Sequence, residues 1–484
     1  MVQPLPRVCI IGAGSSGITA CKEFAQKNIP FDCIEASDGV GGMWRFGNPF
    51  SSAAYRSLHI NTSKKALEYY DFPMPEGTPD FPHHTHLAQY FDDYVDHFNV
   101  RKNIIFNTMV ERATRRDDGV WEVTLSNGEV REYDALVVAN GHHWNPKWPE
   151  PRYPGVFSGI EMHSHEYVDI NNPVSFIGKT VLVVGMGSSA MDIACELGNP
   201  GVAKKVFLSA RRGVYILPKY IQGKTFDAED RHPSQPASRK EKIINKIAPS
   251  GYAPNAIAKR MTEAVGHPEN YGLPKPEHDP SEAQPAISHE IFIRIGSGDV
   301  VPKAKIKNLL GQYVEFEDGS KEQVDIIIYC TGYKISFPFF EKELLDTSED
   351  NDVALYKRIA DPRYDNLFFQ GLVQPWCGMM PLANEQAKWM ARYISGEYYP
   401  PEREVRMAEA KLIQEGGKAS FAPSKHHSIE VVCQPYCDDL REEMEQGYLR
   451  AAKHGFKPLI PVKARAGVIR NVPPTGTPWN RKSA

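Results

Sequence analysis

The chain has 484 residues, which is long enough for two or three domains. Hydrophobic residues make up 41% and charged residues 24%, as in an ordinary soluble globular protein. The formal net charge of −4 gives no reason to expect nucleic-acid or membrane binding, and no apolar run approaches the ~20 residues of a membrane span. The N-terminus runs directly into a predicted strand, which argues against a signal peptide. Eight scattered cysteines indicate buried, reduced thiols and a cytoplasmic location.

A glycine-rich turn follows the first predicted strand, residues 7–11. It consists of Gly12, Ala13, Gly14, Ser15, Ser16 and Gly17, and it opens a predicted helix. The next predicted strand, residues 31–35, ends in Glu35, 23 residues after Gly12. An acid at about this distance accepts hydrogen bonds from an adenosine ribose, while the glycines and the helix N-terminus receive the phosphates. The segment therefore predicts a site for a dinucleotide without a 2′-phosphate, such as FAD or NAD.

Two polar or glycine-rich segments follow this unit. Gly42, Met43 and Trp44 fit a backbone packed against a flat ligand, with a surface turn as the alternative. Asn61 and Thr62 follow an apolar pair, and the Asn61 amide both donates and accepts hydrogen bonds, although such a residue is also common in turns and helix caps. The histidines of residues 83–86 favour a solvated helix start over a metal site, because no cysteine or carboxylate lies at ligand spacing.

A second unit of the same kind lies in mid-chain. The β-branched run 180–184 predicts a buried parallel strand. The turn and helix start that follow contain Gly185, Gly187, Ser188, Ser189 and Asp192. The second strand of this unit ends at Ser209 and is followed by Arg211 and Arg212 rather than by an acid. Guanidinium groups bind a 2′-phosphate that an acid would repel, so this unit predicts NADPH, with solvated surface charge as the alternative.

The same order of elements follows each glycine motif. A hairpin with the turn Asn127–Gly128 precedes a buried strand, residues 135–139, and a hairpin at residues 313–319 precedes the buried strand 325–330. The second strand ends at Thr331 and Gly332. Because sequence after Gly332 still has a globular composition, the second unit is predicted to be inserted in the first.

We therefore predict an α/β fold with two Rossmann-like dinucleotide-binding domains, the second inserted in the first. The first domain is predicted to span residues 1–165 and 326–450, and the second residues 166–325. The proline-rich residues 214–290 form a helical or irregular insertion that covers a site. Residues 451–484 form an extended basic tail, either solvated or packed across its own or a partner subunit, and the latter leaves a homodimer open.

With these motifs the chain resembles the flavin-containing monooxygenases over about residues 5–400. The match includes Gly41–Phe46, Asn61–Lys64, Cys330–Tyr333, Gly371–Pro375 and the fingerprint Phe157-x-Gly159-x-x-x-His163-x-x-x-Tyr167. Baeyer–Villiger relatives usually carry Trp at the position of Tyr167. The run Asn140–His143 departs from the usual pattern and leaves the roles of His142 and His143 open. The membrane-anchoring C-terminus of vertebrate members is missing, which implies a soluble enzyme.

The resemblance implies that NADPH reduces FAD and that O2 adds to the reduced flavin. The resulting flavin hydroperoxide then oxygenates a small soft nucleophile such as an amine, a thioether or indole. It implies a catalytic role for Asn61, and cofactor contacts for Thr62, Thr331, Gly332 and Gln374. His163 and Tyr167 would orient the link between the domains.

Three alternatives differ in chemistry. The first is Baeyer–Villiger oxygenation of ketones, which Tyr167 disfavours. The second, a flavin disulfide reductase, needs a redox-active cysteine pair, and no Cys-x-x-Cys occurs. The third is a sensor without activity, which substrate-stimulated NADPH oxidation would exclude.

Overall fold

The computed structural model describes residues 4–50, 53–238, 241, 259, 261–280, 282–345, 347, 353–420 and 429–473. Two five-stranded parallel sheets form its centre. The first sheet contains, in order, β21 (Leu367–Phe369), β7 (Ala135–Val138), β1 (Val8–Ile11), β2 (Phe31–Ile34) and β3 (Ile104–Ile105). The second contains β16 (Val300–Lys303), β11 (Lys205–Ser209), β10 (Thr180–Val184), β20 (Ile326–Tyr329) and β9 (Ile160–His163).

The central strands of both sheets are buried on both faces. All four residues of β1 and the last four of β10 are buried, as expected for parallel strands that helices cover on either side. The described helices are α1 (Gly17–Gln26), α2 (Lys64–Leu67), α3 (His84–His97), α4 (Ser188–Leu197), α5 (Ile291–Gly296), α6 (Met379–Ser395), α7 (Arg403–Ser420) and α8 (Cys433–Lys453), of which α1, α4 and α5 pack directly on the parallel sheets. The helix predicted after the histidine-rich run is therefore present as α3.

Each parallel sheet is accompanied by a four-stranded sheet built on a hairpin. One contains β24 (Val468–Asn471), β6 (Glu129–Tyr133), β5 (Trp121–Leu125) and β4 (Val110–Arg115). The other contains β19 (Lys321–Gln323), β18 (Tyr313–Phe316), β17 (Ile306–Gly311) and β8 (Gly155–Phe157). The chain then re-enters a parallel sheet through β7 and β20, respectively. This repetition confirms the predicted fold of two Rossmann-like units, the second within the first.

Sheet membership differs from the predicted domain boundaries at two strands. β9 and β20 pair with each other and belong to the second sheet, through β10. The boundaries at residues 165 and 325 assigned both strands to the first domain. A strand pattern identifies a buried strand but not the sheet in which it pairs. The remaining boundaries stay predictions.

The insertion contains only short elements among its described residues. β12 (Ile216–Leu217) pairs with β15 (Ala286–Ile287), and β13 (Tyr220–Ile221) pairs with β14 (Lys224–Thr225). A 3₁₀ turn covers Pro268–Tyr271. The first and last strands of the insertion thus meet, so that it leaves and rejoins the second domain at one place.

The described part of the C-terminal tail packs on its own chain. β24 pairs with β6, and the backbone N–H groups of Lys463 and Ala464 donate to Asp134 Oδ1 at 2.6 and 2.8 Å. The Arg465 side chain hydrogen-bonds Glu132, which lowers the pKa of that carboxyl to about 2. A solvated tail is therefore wrong for this part. Residues 474–484 lie outside the described residues.

One disulfide corrects the expectation that all cysteines are reduced. Cys377 and Cys433 are joined, with Cα atoms 6.1 Å apart. Each follows a strand of the parallel pair β22 (Gln374–Pro375) and β23 (Glu430–Val431), which brings the two residues together. The other six cysteines are free. Among the described helices, none combines the length and apolar content needed to span a lipid bilayer.

Candidate functional site

The carboxyl ends of β1 and β10 open onto one shared cavity of about 1540 Å³. All the residues predicted for the site line this cavity except Ala13 and Gly17, which pack behind it. The lining set is Gly12, Gly14, Ser15, Ser16, Glu35, Gly42, Met43, Trp44, Asn61, Thr62, Gly185, Gly187, Ser188, Ser189, Asp192, Arg211, Arg212, Thr331, Gly332 and Gln374. Two motifs about 170 residues apart in sequence therefore face one volume, as ligands at the carboxyl ends of parallel strands require.

The first glycine motif leaves no space for side chains where the backbone turns. Gly12 has φ +100°, and a Cβ there would lie 2.6 Å from the Ala139 carbonyl oxygen. A Cβ on Gly17 would lie 2.0 Å from the Gly12 carbonyl oxygen. At Gly14 a Cβ would meet only the Cα of Gly42, at 3.8 Å. Gly14 and Gly42 thus present bare backbone to the cavity, which fits a phosphate or a flat ring in contact with main chain.

Glu35 lies at the end of β2 with both carboxylate oxygens oriented by the protein. Oε2 accepts from the Ala13 N–H at 2.7 Å, and Oε1 accepts from the Ser37 N–H at 2.8 Å and the Ser37 hydroxyl at 2.6 Å. A carboxylate has about four acceptor positions, so it retains capacity for ribose hydroxyls. Glu35 is buried at the cavity wall, and its contact with a ribose stays a prediction.

The second motif forms an anion site at the start of α4. Gly185 has φ +135°, and a Cβ there would lie 2.5 Å from the Cys330 carbonyl oxygen, so glycine is needed. Gly187 is the N-cap of α4, and the unpaired N–H groups of the first turn favour negative charge. Arg211 and Arg212 follow β11 and also line an adjoining groove of about 780 Å³, whose other charged residues are Lys275, Lys305, Glu277, Asp279 and Glu282. The two guanidinium groups at the end of β11 are suited to bind a phosphate.

Asp192 is engaged with the other domain. Its Oδ2 accepts a hydrogen bond from the Tyr55 hydroxyl. Burial raises the pKa of Asp192 to about 6, although the Tyr55 hydrogen bond and the Lys219 charge act in the opposite direction. Its cofactor contact stays a prediction, and its contact in the protein is a link between α4 and the segment that precedes Asn61.

Asn61 lies in the cavity wall with an unsatisfied acceptor. Its Oδ1 is buried and has no hydrogen-bond partner in the part of the chain that the structure describes. The N-cap of α2 is Ser63, so Asn61 does not cap that helix. A buried amide oxygen without a donor is uncommon, and at a cavity wall it indicates a ligand that donates a hydrogen bond.

Two cavity residues were not identified as site residues from the sequence. The His142 Nε2 lies 3.4 Å from Gln374 Oε1, and its Nδ1 is buried without a hydrogen-bond partner among the residues described. Burial lowers the pKa of His142. Asp227, from the insertion, has a buried Oδ1 that meets no hydrogen-bond donor within the described ranges. His142 was noted only as a departure from a motif. Asp227 belongs to no motif and carries no signal in the sequence.

The fingerprint residues lie beside the cavity and between the domains. His163 is fully buried and its ring contacts Tyr333 and Trp148. Tyr167 is buried against Tyr55, at the α4 side of the second sheet. Their predicted role in orienting the domains stays a prediction. Thr331 and Gly332 directly precede Tyr333 in the chain. The Lys147 N–H donates a hydrogen bond to the Gly332 carbonyl at 2.9 Å.

Comparison with known proteins decides the family. Residues 6–447 match the family described as flavin-binding monooxygenase-like. The chain belongs to this family. It is therefore a flavin monooxygenase, an oxidoreductase that uses FAD and NADPH.

Two curated relatives are similar to this monooxygenase over most of their length. Flavin-containing monooxygenase 5 of Rattus norvegicus is 34% identical over 439 residues, which cover 88% of this chain and 80% of the relative. Dimethylaniline monooxygenase [N-oxide-forming] 2 of Mus musculus is 34% identical over 455 residues, which cover 90% of this chain and 82% of the relative. Both predictions, of the family and of the cofactors, are confirmed.

Solved structures support the fold of the monooxygenase. S-allyl-L-cysteine S-oxygenase from Allium sativum superposes with a TM-score of 0.65 at 23% identity and covers 93% of this chain and 94% of its own. OTEMO in complex with FAD and NADP gives a TM-score of 0.68 at 20% identity, with 94% and 99% covered. Both solved structures share with this chain the two-domain architecture described above.

Proposed function

We propose that this monooxygenase oxygenates small soft nucleophiles, amines and thioethers, in the shared cavity. The observation that carries the proposal is the convergence of both nucleotide motifs and the unsatisfied Asn61 amide oxygen on one cavity. The names of two similar proteins, one forming N-oxides and one an S-oxygenase, support the same substrate classes. The overall stoichiometry is one NADPH, one proton, one O2 and one nucleophile, giving NADP⁺, water and an N-oxide or S-oxide.

The residues divide between two cofactors in this proposal. Gly12–Gly17, Glu35 and Gly42–Trp44 hold FAD, with Glu35 accepting from its ribose, and Thr62 and Gln374 contribute further contacts. Gly185–Ser189, Asp192, Arg211 and Arg212 hold NADPH, with the arginines on its 2′-phosphate, and Thr331 and Gly332 complete the wall between the two. The bare backbone at Gly14 and Gly42 supports this division because main-chain N–H groups bind phosphate closely.

The protein's own contribution is position and water exclusion. When bound, NADPH supplies two electrons and the reduced flavin activates O2. The Asn61 amide donates and accepts hydrogen bonds without titrating, so it orients a polar group at the reacting centre at any working pH. The apolar part of the cavity wall, including Trp376, Met379 and Ile335, keeps water away. The substrate brings its own lone pair, so no general base is needed.

A panel of three substrates tests the proposal. The purified holoenzyme is given NADPH, ¹⁸O2 and, separately, a thioether, a tertiary amine and cyclohexanone. We expect substrate-stimulated NADPH oxidation and one ¹⁸O atom in a sulfoxide and an N-oxide. Turnover of cyclohexanone alone would favour the Baeyer–Villiger alternative. Absence of substrate-stimulated oxidation with all three would overturn the proposal.

A further inference from the structure

Asp227 belongs to the insertion, and its carboxylate contacts the turn that contains Asn61. Its side chain lies two residues after β14, is 6% exposed and lines the shared cavity. Oδ2 accepts a hydrogen bond of 2.8 Å from the backbone N–H of Ser63. One oxygen of the carboxylate is therefore held by the protein, and its orientation fixes the direction of the other oxygen.

The other oxygen, Oδ1, is buried and has no hydrogen-bond partner among the described residues. An ionised carboxylate only accepts hydrogen bonds, and buried polar atoms of native proteins are nearly always paired. Arg231, a cation of the same segment that also lines the cavity, is engaged elsewhere, with Asp438 at 2.7 Å and Glu241 at 3.1 Å. Oδ1 thus presents an anionic acceptor to whatever enters the cavity.

The position relative to Asn61 limits what the ligand is. Ser63 is two residues after Asn61, and two residues span at most about 7 Å of chain. A cation bound to Asp227 Oδ1 is therefore close enough to the Asn61 amide, which is assigned above to the reacting centre, for one small molecule to reach both. The nucleophilic atom and the cation are then two ends of one substrate.

We propose that Asp227 is a specificity-determining residue that binds the protonated ammonium group of a cationic substrate, whose second end carries the thioether or amine that is oxygenated. This inference rests on the proposed function. A protonated ammonium has no lone pair to oxygenate and three N–H donors to offer, so its role is recognition.

The first test uses the wild-type holoenzyme and two thioethers of the same size. 2-(Methylthio)ethylamine is an ammonium ion at pH 7, and methyl propyl sulfide is its neutral counterpart. We expect kcat/KM for the ammonium thioether to exceed that for the neutral one by about tenfold or more, as for a hydrogen bond to a charged group. A preference for the neutral thioether overturns the inference, whatever the behaviour of any variant.

The second test uses Asp227→Asn with Glu229→Gln as the matched control. Asparagine keeps an acceptor for the Ser63 N–H but removes the charge, whereas Glu229 belongs to the same segment with a 70% exposed side chain. We expect the ratio of the two kcat/KM values to fall about tenfold to a hundredfold in Asp227→Asn and to stay at the wild-type value in the control. Equal losses for both thioethers, or a raised NADPH KM, would assign the carboxylate to structure or to the cofactor and overturn the inference.

A binding experiment separates this inference from the proposed function. Propylammonium is titrated calorimetrically into the oxidised holoenzyme and into Asp227→Asn. Binding to the wild type that is at least about tenfold weaker in the variant supports the ammonium site even if neither thioether is oxygenated, in which case only the proposed function fails. Equal binding to both proteins, or none to the wild type, overturns the ammonium site.

Discussion

The Tyr167 hydroxyl donates a hydrogen bond of 2.9 Å to Glu196 Oε2, and the Ser57 hydroxyl donates to the same oxygen at 2.8 Å. Tyr167 is the last residue of the fingerprint, Glu196 lies on α4, and Ser57 belongs to the segment that leads to Asn61. The Ser57 hydrogen bond to Glu196 and the Tyr55 hydrogen bond to Asp192 on the same helix join α4 to the first domain, while Tyr167 holds Glu196 from within the second domain. The contact between the two domains thus includes two side-chain hydrogen bonds to α4, one from the exposed Ser57 and one from the buried Tyr55.

Tyr167→Phe is expected to lower the unfolding free energy by about 1 kcal/mol, because one hydrogen bond to a carboxylate is lost while the Ser57 donor remains. Urea titration measures the effect. Tyr220→Phe is the control, since its hydroxyl makes a 3.0 Å hydrogen bond to Asp80 at the protein surface, and we expect a change within about 0.5 kcal/mol. Equal changes in the two variants would contradict a stabilising role for the Tyr167 hydroxyl at this contact.

Asn61→Asp is expected to keep FAD and to uncouple the reaction. A carboxylate cannot donate the hydrogen bonds of the amide, and it adds a negative charge where a neutral acceptor is now buried. We expect product formation to fall about 10²-fold and most NADPH electrons to appear as hydrogen peroxide, measured as peroxide released per NADPH oxidised. The exposed Asn171→Asp serves as control. Wild-type coupling in Asn61→Asp would show that the amide has no part in the reaction.

Arg211→Ala is expected to raise the KM for NADPH about tenfold to a hundredfold and the KM for NADH less than about twofold, because only NADPH carries the 2′-phosphate. Steady-state NAD(P)H oxidation provides both values. Arg112→Ala, which removes a 60% exposed guanidinium far from β11 in the chain, should change neither. If Arg211→Ala raised both KM values alike, the Arg211 guanidinium would not be binding the 2′-phosphate of NADPH.

His163 is expected to make the protein sensitive to acid. Burial lowers the pKa of His163 from 6.5 to about 4, so the folded protein binds its proton less well than the unfolded chain. The associated stability is present above pH 6.5 and is lost as the pH falls to about 4, by at most about 3 kcal/mol. His163→Gln should flatten this part of the pH–stability curve, whereas the exposed His289→Gln should not. Parallel curves for wild type and His163→Gln would disprove this.

Asp192 is expected to act in the opposite direction over a similar range. Its pKa is raised from 3.8 to about 6, so its contribution is present below about pH 4 and is lost as the pH rises through 6. The unfolding free energy of Asp192→Asn minus that of the wild type should therefore be about 1–3 kcal/mol higher at pH 7 than at pH 4. Urea midpoints at the two pH values test this, with the exposed Asp117→Asn as control. A difference independent of pH would mean that Asp192 is ionised alike in both states.

The parts of the site that sequence predicted are those encoded over short distances. Gly12, Gly17 and Glu35 follow one strand–turn–helix–strand pattern, and Arg211 takes its meaning from its place after the second strand of the next unit. Asp227 contacts Ser63 across 164 residues, and the Cys377–Cys433 disulfide joins residues 56 positions apart. Local residue spacing therefore predicts neither contact. The pairing of β9 and β20 was missed for a similar reason, since burial of a strand does not identify its neighbour.

The position of β24 bears on how the enzyme can be shortened or tagged. β24 covers the outer side of β6, and Arg465 and its neighbours anchor it to Glu132 and Asp134. A truncation at residue 460 would leave a row of β6 backbone donors and acceptors bare, which is the template on which sheets of separate molecules associate. Expression plasmids that retain residues 461–473 should yield monodisperse protein, and shorter ones should precipitate.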